Sequence, residues 1–320
     1  MNVALAQLHP APFDAAANAS TIERLLTALG GRADLLILPE QYLSAYHLSD
    51  ARLRAAALSL PPAAAFSADD APPSQHPLLL LSRLARAHRT AVCVSFPEAL
   101  GGALHITAAV LDRDGTLAAV HRKTQLWGER ERRLFTPGAG PLAPFALSAF
   151  PGTPLGLLIC FELEFPEPAR VLALRGARAL ICVAASAEAA NFTSERVAPV
   201  RAAENGVALV WVNHPPSAPP PDGAGCGGAD GGAAAALAPA PYSGGSGAWG
   251  PDGAALHAAG GPWVDEAASA AATSAAAAPS AGNAVRVLRV DVDAPAFTAY
   301  RARNPYLAER RVDLFQHLLL

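Results

Sequence analysis

Lysine is almost absent from this chain. Of its 24 lysine and arginine residues, Lys123 is the only lysine and the other 23 are arginine. A sequence-wide preference for arginine would explain this pattern, and a single remaining lysine could then be chance. Alternatively, Lys123 occupies the one site where arginine will not serve. Lysine is a compact charge whose pKa can move, whereas arginine is a wide fork that stays protonated.

Long apolar runs and a basic surface are also missing. No apolar run reaches the roughly 18 residues that span a bilayer, and the longest are strand-sized, such as LLILP and VALVWV. The 320 residues carry a net charge of −3, so the chain lacks the excess of positive charge that is typical of proteins that bind nucleic acid or an anionic membrane. The opening NVALAQL is typical of a core strand. We therefore expect no signal peptide, no membrane association and no nucleic-acid partner.

The cysteines lack metal-binding spacing. The four cysteines, at positions 93, 160, 182 and 226, form no CxxC or Cys/His pattern. We therefore expect no disulfide framework, no metal and no cofactor, and a reducing cytoplasmic location fits best. Cys93 and Cys182 lie inside apolar segments and are expected to be small buried hydrophobes. Cys226 lies in a glycine-rich segment and is expected to be exposed and unpaired.

Strand-length apolar segments alternate with helical periods from residue 2 to about 213, a pattern that predicts an α/β protein. Asp114 and Gly115 between two apolar segments predict a hairpin that leads directly to Lys123. Strands are predicted near 2–8, 34–38, 91–96, 106–112, 116–121, 154–159, 178–184 and 207–212, and helices near 17–30, 76–89, 166–175 and 194–204.

Beyond His214 the composition changes. Residues 215–240 and 263–283 are rich in alanine, glycine, proline and serine, and have little to bury. Between them a strand, an Asp-Gly turn and a second strand are predicted, and AVRVLRVDVD after them is predicted to be a strand. An arginine-rich tail follows. We interpret the two low-complexity segments as surface loops inserted into a single domain of residues 1–320.

Three apolar segments end in residues with catalytic potential. DLLILPE ends in Glu40, LAAVHRK ends in Lys123, and LGLLIC ends in Cys160. In α/β folds, groups just beyond the carboxyl ends of strands gather in one open crevice. A carboxylate, an ammonium and a thiol placed in this way are therefore expected to share a pocket.

The chemistry of such a trio is coherent. A neighbouring cation lowers the pKa of a thiol, and a nearby carboxylate can remove its proton before it attacks a carbonyl group. An ammonium then stabilises the oxyanion that develops, an effect of about 2.7–4 kcal/mol per donor, and the backbone N–H of Phe161 is placed to help. The alternatives are ordinary ones: Glu40 as a solvated loop acid and Cys160 as a buried hydrophobe.

Six segments together resemble the carbon-nitrogen hydrolase, or nitrilase, superfamily. The resemblance implies a four-layer α-β-β-α sandwich that assembles as homodimers or larger homo-oligomers, through the helix region after the cysteine and the C-terminal tail. The segments keep the order of the family over nearly the whole chain: LPEQYLSAY, HRKTQLWGERERRLFTPG, GLLICFELEFPEPAR, VRAAENGVALVWVNH, YSGGSGAWGPDG and RARNPYLAERRVDLF.

The resemblance also implies roles for individual residues. Glu40 resembles the general base, Lys123 the oxyanion-stabilising cation, and Cys160 the nucleophile that forms a thioester. A second glutamate eight residues after the lysine falls on Glu131, which would hold the substrate amide and align Lys123. Glu129 is the competing candidate, and either could be a solvated acid.

The surroundings of the cysteine suggest a subclass. Cys160-Phe161-Glu162 differs from the Cys-Trp-Glu of true nitrilases and resembles the amidase branches, so a small carboxamide is the expected substrate. Two features depart from the family pattern: Gln125 stands where histidine is frequent, and ALHITAAV lacks a common asparagine. Glu204 resembles a structural acid outside the site. The alternatives are a nitrilase or N-carbamoyl-amide hydrolase, and a non-catalytic binding protein of the same fold.

Overall fold

The computed structural model describes residues 1–66, 75–187, 192–216, 242–256 and 283–315. The predicted insertions at about 215–240 and 263–283 lie almost wholly outside these ranges, as does Cys226. In the described part of the chain, no helix is both long enough and apolar enough to cross a bilayer.

The described elements alternate along the chain as predicted. The strands are β1 (Asn2–Gln7), β2 (Leu35–Ile37), β3 (Ala91–Leu100), β4 (Ala103–Leu111), β5 (Leu117–Arg122), β6 (Phe145–Leu147), β7 (Phe150–Ile159), β8 (Ala179–Val183), β9 (Ala208–Val212), β10 (Gly247–Trp249) and β11 (Ala284–Arg289). The helices are α1 (Ala15–Leu29), α2 (Asp50–Ala56), α3 (Pro77–His88), α4 (Gly128–Leu134), α5 (Pro166–Leu174), α6 (Ala198–Asn205), α7 (Pro295–Arg303) and α8 (Val312–Phe315).

The strands form two mixed sheets. The first has six strands in the order β11-β1-β2-β3-β4-β5, and the second has five in the order β10-β9-β8-β7-β6. Parallel pairing joins β1, β2 and β3 in the first sheet and β7, β8 and β9 in the second. The parallel strands therefore occupy the middle of each sheet, and antiparallel strands form the edges.

The sheets pack face to face between two layers of helices. Side chains of both sheets, such as Val3 and Leu157, share one buried cluster. Helices α1 and α3 cover the outer face of the first sheet, and α5 and α6 cover that of the second. The predicted four-layer α-β-β-α sandwich is therefore confirmed.

Burial on both faces explains why the central strands, such as β1, β2, β8 and β9, are largely apolar. In β1, Val3 and Leu5 face the second sheet, while Ala4 and Ala6 face the helices. Alternate side chains of a strand point to opposite faces, so a strand covered on both sides has no solvent-facing positions. The same constraint places Cys93 and Cys182 in the core, with no exposed surface, as predicted.

Three details differ from the predictions. The short helices α2 and α4 were not predicted, because each spans only seven residues and too few turns to show a helical period. The helix predicted at 194–204 is divided into a π-helical turn, Thr193–Val197, and α6. The predicted polar tail contains the end of α7 and all of α8.

Gly156 tests the packing of the second sheet against α5. A methyl group there would lie 2.6 Å from Leu180 Cδ2 and 2.8 Å from Leu172 Cδ1. Gly156→Ala should therefore lower the free energy of unfolding by about 1–3 kcal/mol through overpacking, measured by urea denaturation. Gly152→Ala, on the same strand with no atom within 4 Å of the new methyl group, is the control. Equal stability of the two variants would contradict this description of the core.

Candidate active site

The three predicted strand ends meet beside a buried lysine. Lys123 follows β5, and its Nζ donates hydrogen bonds to Glu40 Oε1 at 2.8 Å and to Glu131 Oε1 at 3.0 Å. Glu40 lies just beyond β2, and Cys160 directly follows β7. The Lys123 side chain is only 1% exposed, and Glu40 is fully buried. The structure thus brings together Glu40, Lys123, Glu131 and Cys160.

The Lys123 ammonium is held in its charged form by its neighbours. Burial by itself lowers the pKa of a lysine, but the charges of Glu40 and Glu131 outweigh it and keep the pKa of Lys123 above its usual value. The two carboxylates approach one nitrogen atom from different parts of the chain. Lys123 is therefore a permanent point charge inside the protein.

The Glu40 carboxyl has one occupied and one free oxygen. Oε1 accepts from Lys123, while Oε2 makes no hydrogen bond of normal geometry to any described residue. The Cys160 thiol is nevertheless near enough to favour the ionised carboxylate. Burial, opposed by Lys123 and reinforced by Glu131, raises the pKa of Glu40 to about 7. This carboxylate can therefore accept a proton near neutral pH, as a general base must.

Cys160 occupies a constrained turn between a strand and a helix. Its φ of 48° lies in the left-handed region, which is uncommon for residues other than glycine and stores about 1–3 kcal/mol of strain. A 3₁₀ helix of residues Cys160–Glu164 begins at this turn. The turn directs the side chain out of the strand, so that the residue is only partly buried.

The thiol is not activated in the resting site. Burial and the Glu40 carboxylate raise the pKa of Cys160 well above its usual value, and Lys123 and the Ala185 backbone N–H lower it only in part. Lys123 lowers this pKa, as expected of a neighbouring cation, but burial and the Glu40 charge outweigh its effect. Desolvation of a thiolate outweighs one partly neutralised ammonium. The Cys160 thiol therefore keeps its proton at neutral pH.

Glu131 is the second carboxylate that contacts Lys123. Its Oε1 accepts from Lys123 and from the Tyr46 hydroxyl, the latter at 2.5 Å, and its Oε2 accepts from the Trp127 N–H at 2.7 Å. The competing candidate Glu129 is exposed on α4 and makes no such contact with Lys123. Tyr46 was not identified from the sequence, because its contact with Glu131 joins positions 85 residues apart.

Phe161 lies in the first turn of the 3₁₀ helix. Backbone N–H groups in a first turn have no acceptor within their helix, so that of Phe161 is available beside the cysteine. Its ring packs edge-on against Phe165, with the ring centroids 5.0 Å apart. The Phe161 side chain therefore contributes to packing next to the cysteine.

A second residue missed by sequence reasoning is Glu162. This fully buried carboxylate accepts from the Ile159 N–H at 2.7 Å, the Thr124 N–H at 2.7 Å, the Thr124 hydroxyl at 2.6 Å and His121 Nε2 at 2.8 Å. These partners belong to both sheets, since His121 lies in β5 and Ile159 ends β7. The Cys-Phe-Glu sequence indicates a subclass, but the contacts of its glutamate are visible only in the fold.

Glu162 links the backbone beside Lys123 to the backbone beside Cys160. Thr124 directly follows Lys123, and Ile159 directly precedes Cys160, so one carboxylate joins the backbone on both sides of the pocket. Glu204, by contrast, lies outside the site. It pairs with Arg201 at 3.1 Å and is about a third exposed.

The fold is that of known amidases. A crystal structure of an amidase from Nesterenkonia sp. superimposes with a TM-score of 0.67 and 26% identity, covering 99% of this chain and 96% of that chain. A cysteine variant of the amidase from Nesterenkonia sp. AN1 in complex with butyramide matches equally well, at a TM-score of 0.67 and 25% identity over 99% and 96% of the two chains.

Sequence comparison identifies the family. The family model described as carbon-nitrogen hydrolase matches residues 2–278. A protein from Pseudomonas protegens named "Hydrolase in pqqF 5'region" is 32% identical over 67% of this chain and 70% of its own length. An (R)-stereoselective amidase from Pseudomonas sp. is 30% identical over the same shares of the two chains. The chain belongs to the carbon-nitrogen hydrolase family.

The four hydrogen bonds accepted by Glu162, which together act as a clamp between the two sheets, should contribute to stability. Glu162→Gln replaces an all-acceptor carboxylate by an amide that cannot accept every one of these hydrogen bonds. Hydrogen bonds to charged groups contribute about 1.5–3 kcal/mol each, so the free energy of unfolding at neutral pH should fall by about 2–4 kcal/mol. Urea denaturation measures this, with Glu167→Gln, an exposed glutamate at the start of α5, as the control.

The loss of stability in Glu162→Gln should also depend on pH. Although burial opposes it, His121 and Thr124 hold the pKa of Glu162 below its usual value in the folded state. The stabilisation is therefore complete above the ordinary carboxyl pKa and is lost as pH falls through the lower, folded value. The difference between wild type and Glu162→Gln should shrink in that acid range. A constant difference there would contradict the assignment of Glu162 as an ionised clamp.

Proposed function

We propose that this protein hydrolyses a small carboxamide to a carboxylic acid and ammonia, through a thioester on Cys160. The observation that carries the proposal is the buried Lys123 ammonium, which is bonded to Glu40 and Glu131 at 2.8 and 3.0 Å beside the cysteine. A fixed cation, a base of raised pKa and a thiol form a minimal set for acyl transfer.

In the first half-reaction, Glu40 removes the Cys160 proton as the sulfur attacks the carbonyl carbon. The carbonyl oxygen becomes an oxyanion that faces the Lys123 ammonium and the Phe161 N–H. The tetrahedral intermediate then collapses and the C–N bond breaks. Protonated Glu40 returns the proton to the leaving nitrogen, so ammonia departs and a thioester remains on the enzyme.

In the second half-reaction, water replaces ammonia. Glu40 removes a proton from water, and the resulting hydroxide attacks the thioester carbonyl. The second oxyanion is stabilised by the same two donors, and its collapse releases the carboxylic acid and the sulfur. The proton on Glu40 returns to sulfur, so one amide and one water are consumed for each acid and ammonia formed.

Glu131 is suited to bind the substrate amide as well as Lys123. Both lone pairs of its Oε1 are used, by Lys123 and Tyr46, whereas among the described residues Oε2 accepts only from Trp127. A carboxylate oxygen has two acceptor sites, so one remains for an amide N–H. We therefore assign Glu131 the positioning of both the lysine and the substrate nitrogen.

The relatives support an amide substrate. The first two named relatives include an (R)-stereoselective amidase, and an amidase of the same fold binds butyramide. An N-carbamoylputrescine amidase from Solanum lycopersicum is 28% identical, but over only 52% of this chain and 53% of its own length. Amide hydrolysis is therefore favoured over the carbamoyl alternative.

The proposal includes self-association and a cytoplasmic location. A groove of about 650 Å³ is lined by residues of α5, α6 and the C-terminal tail, including Val200, Tyr306 and Leu314. These three side chains are about half exposed, which supports an interface between copies of this chain.

Free thiols at Cys93, Cys160 and Cys182 are consistent with a reducing compartment.

The deciding experiment looks for the covalent intermediate. Wild-type protein incubated with propionamide or butyramide should release ammonia and carry the matching acyl group on Cys160, detected by intact-mass spectrometry and peptide mapping. Cys160→Ala should give neither product. Lys123→Arg should lose about 10²–10³-fold in kcat, the effect of removing one oxyanion donor.

Arg132→Lys is the matched control, because it makes the reverse exchange at an exposed position of α4 and should stay fully active. An active Lys123→Arg enzyme would refute the assigned role of the lysine. Consumption of nitriles, or release of carbon dioxide together with ammonia, would indicate one of the alternative substrate classes. Absence of any adduct or turnover would favour a binding protein.

The pH dependence of the reaction should follow the ionisation of the Glu40 carboxyl group. A general base works in its ionised form, and the pKa of Glu40 is raised to about 7 by burial. Hence kcat/KM should fall as pH is lowered through about 7, approaching a tenfold loss per pH unit below it. Initial rates of ammonia release from pH 5 to 9 measure this limb. A limb near the ordinary glutamate pKa of about 4.3 would exclude Glu40 as the base.

A further inference from the structure

His214 is a buried side chain that the reaction as described does not use. It lies two residues beyond β9, it has no exposed surface, and its Nε2 is 2.8 Å from the backbone oxygen of Glu40. Building on the proposed function, we infer that His214 is a positioning residue that fixes the Glu40 backbone and thereby aims the Glu40 carboxylate at Cys160 and Lys123.

The Glu40 backbone is held by the second sheet. Glu40 follows β2 of the first sheet, yet its backbone N–H and its backbone C=O both form hydrogen bonds with residues of the second sheet's segments. Its N–H donates to the Ala184 oxygen at 3.1 Å, and its C=O accepts from His214. Ala184 and His214 follow β8 and β9, so two hydrogen bonds connect the Glu40 backbone to the second sheet. Without the His214 side chain, only the hydrogen bond to Ala184 remains.

The His214 imidazole is itself rigidly placed. It stacks on the Tyr242 ring, with centroids 4.4 Å apart and planes at 24°. His47 packs on Tyr242 as well, at 4.9 Å and 32°. The His214 backbone N–H donates to Asn213 Oδ1 at 2.9 Å, and Asn213 Nδ2 donates to the Ser186 oxygen at 3.0 Å. Because the His214 ring is held in this way, its Nε2 can hold the Glu40 backbone oxygen in place.

The protonation state of His214 determines which of its ring nitrogens can donate a hydrogen bond. Burial lowers the pKa of His214 to about 3, so the ring is neutral at working pH. A carbonyl oxygen only accepts hydrogen bonds, which places the single ring proton on Nε2. His214 therefore orients Glu40 without adding a charge that would lower the basicity of its carboxylate. Lys123, Glu131, Cys160 and Tyr46 are the titratable groups that act on the Glu40 carboxyl or contact its neighbours.

Matched substitutions separate the hydrogen bond from the packing. His214→Phe keeps a flat ring against Tyr242 but has no donor, whereas His214→Gln keeps an N–H donor with similar reach. In His214→Phe, kcat for butyramide should fall about 10- to 100-fold, the usual effect of small displacements of a catalytic group, with little change in KM. The acid limb of kcat/KM should move to higher pH, because a looser Glu40 pairs less well with Lys123. His214→Gln should recover most of both properties.

A second readout does not depend on the substrate. The rate at which iodoacetamide alkylates Cys160, located by peptide mapping as a function of pH, reports removal of the thiol proton. It should slow in His214→Phe and recover in His214→Gln. If wild type alkylates normally but hydrolyses no amide, the proposed function fails while the His214 assignment is still tested.

The assignment is overturned by either of two outcomes. One is a folded His214→Phe protein with wild-type kcat, acid limb and alkylation rate. The other is a His214→Gln protein as defective as His214→Phe, which would assign the role to ring packing alone. If His214→Phe does not fold, judged by circular dichroism, His214→Asn replaces it, because asparagine carries the donor but is too short to reach Glu40.

Discussion

The contact between Lys123 Nζ and two glutamate oxygens is the constraint on which the rest of the site depends. An ammonium with 1% exposure has lost nearly all its hydration, a cost of several kcal/mol that only close, well-aligned partners offset. Glu40 and Glu131 supply those partners at 2.8 and 3.0 Å. Each glutamate must therefore be held in turn, and most of the buried polar groups near the site serve that end.

The holding groups come from both sheets. Tyr46 and the Trp127 N–H fix Glu131, and the Ala184 oxygen holds the Glu40 backbone. Glu162 joins the backbone beside Lys123 to the backbone beside Cys160. A site at the seam of two packed sheets has the advantage that neither sheet can shift without breaking several buried hydrogen bonds. Since a buried polar group without a partner costs about 1–3 kcal/mol, the seam resists small displacements of the reacting atoms.

Sequence reasoning was most successful where a single segment carries the information. Apolar strands that end in Glu40, Lys123 and Cys160 were visible as local patterns, and the strand ends do meet. The choice between Glu131 and Glu129 needed the fold, because it depends on which face of the short helix α4 turns inward. Tyr46 and Glu162 were missed for the same reason, since their partners lie 85 and 38 residues away. The net pKa of Cys160 depends on burial, which spacing alone does not give.

Arg122, the neighbour of Lys123, shows why one lysine was retained. Its guanidinium binds a single carboxylate with two parallel hydrogen bonds, from Nε to Glu98 Oε2 at 2.7 Å and from Nη2 to Glu98 Oε1 at 2.6 Å. That geometry suits a planar fork. At Lys123 the two oxygens belong to different residues and converge on one atom. A fork presents its donors side by side in a plane, so it does not match two oxygens that converge on one nitrogen atom. The two adjacent positions thus require different cations, and a chain that otherwise uses arginine everywhere keeps lysine at the second.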